Sequence, residues 1–113
     1  MEIKEKIKIK GREIECEIDT GATYIVVKEE ILKEIGSEPK GKIKIGLAKD
    51  VVKEVDYYVE SVEINGCKLP PQIIIAGKTN LLGHVPLQMM GAVIDEKEGK
   101  ITYRVCPPPY AEV

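Results

Sequence analysis

Asp19-Thr20-Gly21-Ala22 carries the clearest chemistry in the chain: a carboxylate followed by three small residues. A carboxylate helps hydrolyse an amide only if it activates water while something else protonates the leaving nitrogen. Two carboxyl groups sharing one proton do both. The ionised one takes the water's proton and the neutral one polarises the carbonyl. Held about 3 Å apart, two carboxylates cannot both ionise comfortably, which fixes the shared proton. Such a pair needs small neighbours. Gly21 lets backbone approach closely, Thr20 can aim a hydroxyl at backbone groups, and Ala22 leaves room beside the acid. Asp, Thr and Gly also favour ordinary turns, so the tripeptide alone leaves turn and active site both open. Neither a cofactor nor a metal is needed for this chemistry.

Several elements must position that loop. The alternation Glu13-Ile14-Glu15-Cys16-Glu17-Ile18 is a strand ending at Asp19, and Ile3, Ile7 and Ile9 make its hairpin partner across Lys10-Gly11-Arg12. Residues 24–27 predict a buried strand. Residues 28–35 predict a helix with Ile31, Leu32 and Ile35 on one face, ended by Gly36. Residues 42–46 and 51–62 predict strands around a tip at Leu47-Ala48-Lys49-Asp50. Asn65-Gly66 is the strongest turn dipeptide. An apolar strand over 72–76, a short helix over 86–90, and strands over 92–95 and 100–105 complete the series. Many short strands between close turns predict a mostly β fold, a closed barrel or folded-over sheet with one or two short helices. Residues 1–106 read as one domain, and 107–113 as a stiff Pro-rich tail.

Composition narrows the function. With 113 residues the chain holds one modest core. A net charge of −2 supplies no basic field for nucleic acid. Lys4, Lys6, Lys8 and Lys10 cluster, but glutamates interleave and aromatics are absent there, the pattern of a solvated strand face. The N-terminus lacks an apolar signal region and no run approaches membrane-spanning length, so no membrane and a cytoplasmic location are expected. The cysteines lack metal-type spacing. Cys16 falls on an apolar strand position, and a disulfide between Cys67 and Cys106 is allowed but not required. His84 is the single histidine, which argues against a metal site. Met89-Met90 reads as core packing, and Asp56 and Asp95 as surface or turn acids. The wealth of Lys, Glu and Ile resembles a thermophile's usage.

Ile-Asp-Thr-Gly-Ala at 18–22, preceded by an alternating strand and followed by Ile25-Val26-Val27, resembles the retropepsin-like aspartic proteases, in their small single-lobed prokaryotic and archaeal form. That family also carries two apolar residues and a glycine before a short helix. Leu81-Leu82-Gly83 matches this, and Gly91-Ala92-Val93-Ile94-Asp95 is similar to the continuation in small members. The resemblance runs from about residue 8 to 105 and implies that Asp19 is catalytic. In single-lobed members each chain gives one Asp-Thr-Gly, so a second copy of the same chain would supply the other Asp19 across a two-fold axis. Thr20 would then interlock with the partner's loop, Gly21 would present backbone to substrate, and Gly46, Leu47, Ala48, Lys49 and Asp50 would form a flap over an extended peptide or protein substrate.

Two departures stand out. The family often places an arginine after the apolar-apolar-glycine motif and an acid after Asp-Thr-Gly-Ala, where this chain has His84 and Thr23. Lys49 and Asp50 occupy a tip where small residues are expected. The implied function is a homodimeric aspartic endopeptidase. The alternative is a weak or inactive dimer of the same fold that binds peptides or serves assembly, and a different chain could also supply the second Asp.

Overall fold

The computed structural model describes residues 2–46 and 49–106. Leu47 and Ala48 of the expected flap, and the Pro-rich segment 107–113, lie outside the described residues. β1 (Lys4–Ile9) and β2 (Arg12–Ile18) pair antiparallel with Ile9 opposite Arg12, leaving a two-residue turn. Lys10 and Gly11 both take positive φ, 51° and 80°, as a type I′ hairpin requires. Alternation buries Ile7, Ile9, Ile14 and Cys16 and leaves the lysines and glutamates between them outside. β3 (Ile25–Lys28) leads into α1 (Glu29–Glu34), which buries Leu32. The helix ends as expected at Gly36, whose φ is 72°. Ser37 N–H donates to Leu32 C=O and Gly36 N–H to Lys33 C=O, the paired bonds of a Schellman cap.

β4 (Gly41–Gly46) and β5 (Val52–Glu60) form the next hairpin, followed by β6 (Val62–Ile64) and β7 (Cys67–Lys68). Then come β8 (Gln72–Gly77), β9 (Leu81–Leu82), α2 (His84–Met89), β10 (Ala92–Asp95) and β11 (Lys100–Tyr103). Asn65 and Gly66 make the second two-residue hairpin, with φ of 52° and 75°. The expected single strand over 51–62 is broken at Ser61. On one side Glu60 pairs with Gln72 of β8; on the other Val62 pairs with Ile9 of β1. The chain passes there from one half of the sheet to the other.

The nine strands run in the order β4-β5-β8-β3-β9-β2-β1-β6-β7, and β10–β11 form a separate pair. Among the described residues the sheet does not close, which corrects the barrel expectation in favour of the folded-over sheet. Closure would require β4 to bury itself against β7. β7 offers two residues, and the outer end of the β4–β5 hairpin (Val52, Lys53, Glu54) is exposed.

One apolar cluster joins Ile25, Val27, Leu32, Tyr58, Ile64, Leu69, Ile74, Leu82, Leu87 and Met90 to the inward residues of the first hairpin. Helical spacing turns Leu87 and Met90 inward and leaves Met89 exposed, so only the second methionine is core. Cys16 is a buried free thiol, pushed up to about 12 by burial and then by Glu15. Cys67 and Cys106 are joined as a disulfide. Among the described residues, no helix is long and apolar enough to cross a membrane.

Candidate active site

Asp19 follows the last residue of β2, and its N–H donates to Leu82 C=O at 3.0 Å. The chain then turns sharply. Ala22 N–H donates to Asp19 C=O at 3.1 Å, and Gly21 N–H donates to the carboxylate Oδ1 at 2.9 Å. This is an Asx-type turn in which the loop's own backbone aims the acid. A Cβ on Gly21 would lie 3.2 Å from that same Oδ1. Glycine therefore leaves the carboxylate its room. Asp19 stays half-exposed, and Thr20 beside it is exposed.

The Leu-Leu-Gly motif holds the loop from behind. β9 lies between β2 and β3, parallel to Glu17-Ile18 and antiparallel to Val26, so the two strands flanking the loop are joined through Leu81-Leu82. At Gly83 a Cβ would sit 2.1 Å from Tyr24 O, 2.7 Å from Ala22 O and 2.9 Å from Thr23 C, all backbone atoms. Only glycine fits. The close approach lets His84 N–H donate to Ala22 C=O at 2.8 Å and Val85 N–H to Thr23 C=O at 3.0 Å. His84 supplies its backbone to the site while its side chain is exposed.

The expected loop and part of the expected flap do meet. A cavity of about 340 Å³ is lined by Gly21, Ala22, Thr23 and Tyr24 on one side and by residues 43–46 of β4 on the other, with Val26 and Ile75 completing it. Gly46 belongs to this lining. Lys49 and Asp50 do not; both are exposed and take φ of 60°. They adopt, without glycine, a left-handed backbone that side chains enter at a cost of about 1–2 kcal/mol each.

Sequence reasoning missed Tyr24, Val26, Ile43, Ile45 and Ile75 as cavity residues. The alternation along β4 was the available signal for Ile43 and Ile45. It also missed Asn80, whose Oδ1 accepts Lys28 N–H at 2.9 Å and whose C=O accepts Glu17 N–H at 3.0 Å. Asn80 thus ties the end of β3 to β2 just ahead of the motif.

The other acids act locally. Asp56 pairs with Lys42 at 3.1 Å, and Asp95 accepts Glu98 N–H at 3.0 Å in its turn. A larger hollow of about 510 Å³ lies among Lys4, Lys6, Lys8, Glu13, Glu15 and Glu63. Its charges alternate in sign and pair with one another, as Lys4–Glu15 and Lys8–Glu63 do. We assign the site to the smaller cavity because it adjoins an aimed carboxylate.

Residues 6–89 match the family model described as "gag-polyprotein putative aspartyl protease". No curated protein matches the chain. The matched span begins in β1 and ends with α2, so it contains the Asp-Thr-Gly loop, the β4–β5 hairpin and the Leu-Leu-Gly motif. The chain therefore belongs to the gag-polyprotein aspartyl protease family, whose fold and motifs are retropepsin-like.

Proposed function

We propose that two copies of this chain form an aspartic endopeptidase, with water held between the two Asp19 carboxyls. The observation that carries this reading is the aimed, half-exposed Asp19 carboxylate, held by the N–H of Gly21, which itself lines the cavity, in a chain with one Asp-Thr-Gly. One Asp19 takes a proton from the water as its oxygen adds to the amide carbon. The other, protonated, donates to the carbonyl oxygen. The resulting diol then collapses as the nitrogen is protonated and leaves. An extended peptide would add to the outer edge of β4 by main-chain hydrogen bonds, its side chains entering the cavity bounded by Tyr24, Ile43 and Ile45.

Support for a dimer comes from Thr20 and its surroundings. Thr20 shares a small hollow with Ile3, Ile18, Ile94 and Glu96. Among the described residues, β10 and β11 pair only with each other, which leaves their outer edges to a second copy. A cytoplasmic location agrees with a disulfide where intracellular proteins are disulfide-rich, as in hyperthermophiles, and the Lys, Glu and Ile usage points the same way.

The test is digestion of an unbiased peptide library by the wild type and by Asp19→Asn, from acid to neutral pH, with sedimentation on both. We expect a dimer that cleaves, and a loss of about 10³-fold or more in the variant. Equal cleavage by Asp19→Asn, or an active monomer, overturns the mechanism. A dimer that binds peptides without cutting them selects the binding-module reading.

A further inference from the structure

The β10–β11 hairpin is attached to the rest of the chain at few points. Arg104 N–H and Val105 N–H both donate to Met90 C=O, and Ala92, Ile101 and Tyr103 lie half-buried against the core. A further tie is covalent: Cys106, just past β11, is bonded to Cys67 at the start of β7, on the terminal strand of the main sheet. The hairpin's other end reaches the active-site loop, where Ile94 and Glu96 line a hollow of about 70 Å³ with Thr20, Ile18 and Ile3. Register places Ala92 and Tyr103 at the disulfide end and Asp95 and Lys100 at the turn end. That is three residue steps, or about 10 Å of stiff paired strand. One short lever therefore runs from the disulfide to the residue next to Asp19.

The bond is also reachable. Cys67 is buried, but Cys106 is exposed, and both border an open hollow of about 290 Å³ with Asn65, Gly66, Met90 and residues 103–105. A thiolate can approach Cys106 from solvent, and the departing Cys67 sulfur has space in which to take up a proton.

We propose that Cys67–Cys106 is a redox clasp that sets the position of the β10–β11 hairpin and, through Ile94 and Glu96, the order of the Asp19 loop. The switching reagent is a dithiol reductant. One thiolate of the dithiol attacks Cys106 Sγ, the protein S–S bond breaks, and Cys67 leaves as a thiolate and is protonated. The second thiol of the reagent then attacks the mixed disulfide and releases Cys106. Two electrons and two protons pass to the protein, and the dithiol becomes a disulfide. The redox link to loop order stands without the proposed peptidase activity; only its effect on cleavage rests on that reading.

Amide exchange on the full chain tests the clasp, comparing the oxidised protein, the protein in dithiothreitol, and Cys106→Ser with and without dithiothreitol. Because Cys106 is exposed, serine there is tolerated by packing. On reduction, amides at Val93, Ile94 and Thr102, and those of Gly21 and Ala22 in the loop, should speed up by about tenfold beyond the common acceleration that loss of the staple gives the amides of β3 and β8. Cys106→Ser should start at the fast rates and ignore the reductant. Equal acceleration throughout the chain would mean a purely global staple and overturns the proposal. So would unchanged rates at Gly21 and Ala22, or oxidised protein whose mass shows two free thiols at these positions. A peptidase assay in parallel should fall on reduction of the wild type only. If no form cleaves peptides, the proposed function fails while the exchange result still decides the clasp.

Discussion

Gly83→Ala puts a methyl group where three backbone atoms already stand, at 2.1, 2.7 and 2.9 Å. Backbone cannot swing aside as a side-chain tip does, so either residues 22–24 or β9 must shift. Overpacking of this kind costs about 1–3 kcal/mol or more. A shift also breaks or bends the bonds from His84 N–H and Val85 N–H to the Ala22 and Thr23 carbonyls, at about 1 kcal/mol each. Alanine's smaller unfolded-state entropy returns about 0.4–1 kcal/mol. The net loss is about 2–5 kcal/mol, or roughly 8–20 °C in Tm for a chain of this size. Gly46→Ala is the control, because a Cβ there meets nothing within 4 Å. It should stay within about 0.5 kcal/mol of wild type. Chemical denaturation at fixed protomer concentration measures both. A Gly83→Ala protein within about 0.5 kcal/mol of wild type would show that the Leu-Leu-Gly motif does not hold the loop by close backbone contact.

Burial of Cys16, the Cys67–Cys106 bond and the exposure of His84 each have a measurable consequence. Cys16 is a thiol raised from 9.0 to about 12 by burial, so the unfolded chain loses this proton first and stability falls as pH rises from about 9 towards 12. By pH 10 the wild type should have lost on the order of 1 kcal/mol more than Cys16→Ala does over the same range, and parallel curves in urea melts would refute this. The Cys67–Cys106 bond spans 39 residues, so Cys106→Ser should lower stability by about 4 kcal/mol through loop-closure entropy; a loss below about 1 kcal/mol contradicts a formed bond. His84→Gln should leave Tm and its salt dependence unchanged, since the exposed imidazole is not what joins α2 to the loop, and a salt-sensitive loss of more than about 1 kcal/mol would show that it is.

Features legible in the sequence were those set within a few residues. The two-residue turns at Lys10-Gly11 and Asn65-Gly66 and the Gly36 cap depend on local φ, and dipeptide chemistry names such positions. The strand before Asp19 shows its inner face by alternation. What stayed hidden depends on distant partners. β9 has two residues and exists because Glu17-Ile18 and Val26 flank it; no period of two or 3.6 can be seen in two residues. The break at Ser61 arises where pairing passes from β8 to β1. Asn80 looks like an ordinary turn residue until its side chain meets Lys28 across 52 positions. An open sheet and a closed one use the same alternation, so periodicity could not separate them.

Thr23 and His84 are the positions where this chain departs from the ion pair that retropepsin-like chains often carry. An exposed pair of that kind contributes about 0–1 kcal/mol and weakens with salt. The same two segments are already joined by two backbone hydrogen bonds, from His84 and Val85 to Ala22 and Thr23. Those bonds depend on the missing side chain at Gly83, not on any charge at 23 or 84. Both members of the pair can therefore be absent together without a compensating side chain within the chain. In the proposed dimer, bracing then falls to groups that remain exposed beside the acid. These are Thr20 and the hairpin residue Glu96, with half-buried Ile94 in the same hollow. The disulfide holds the far end of that hairpin, so the covalent staple takes on part of the ordering that a charged pair would otherwise supply near the axis.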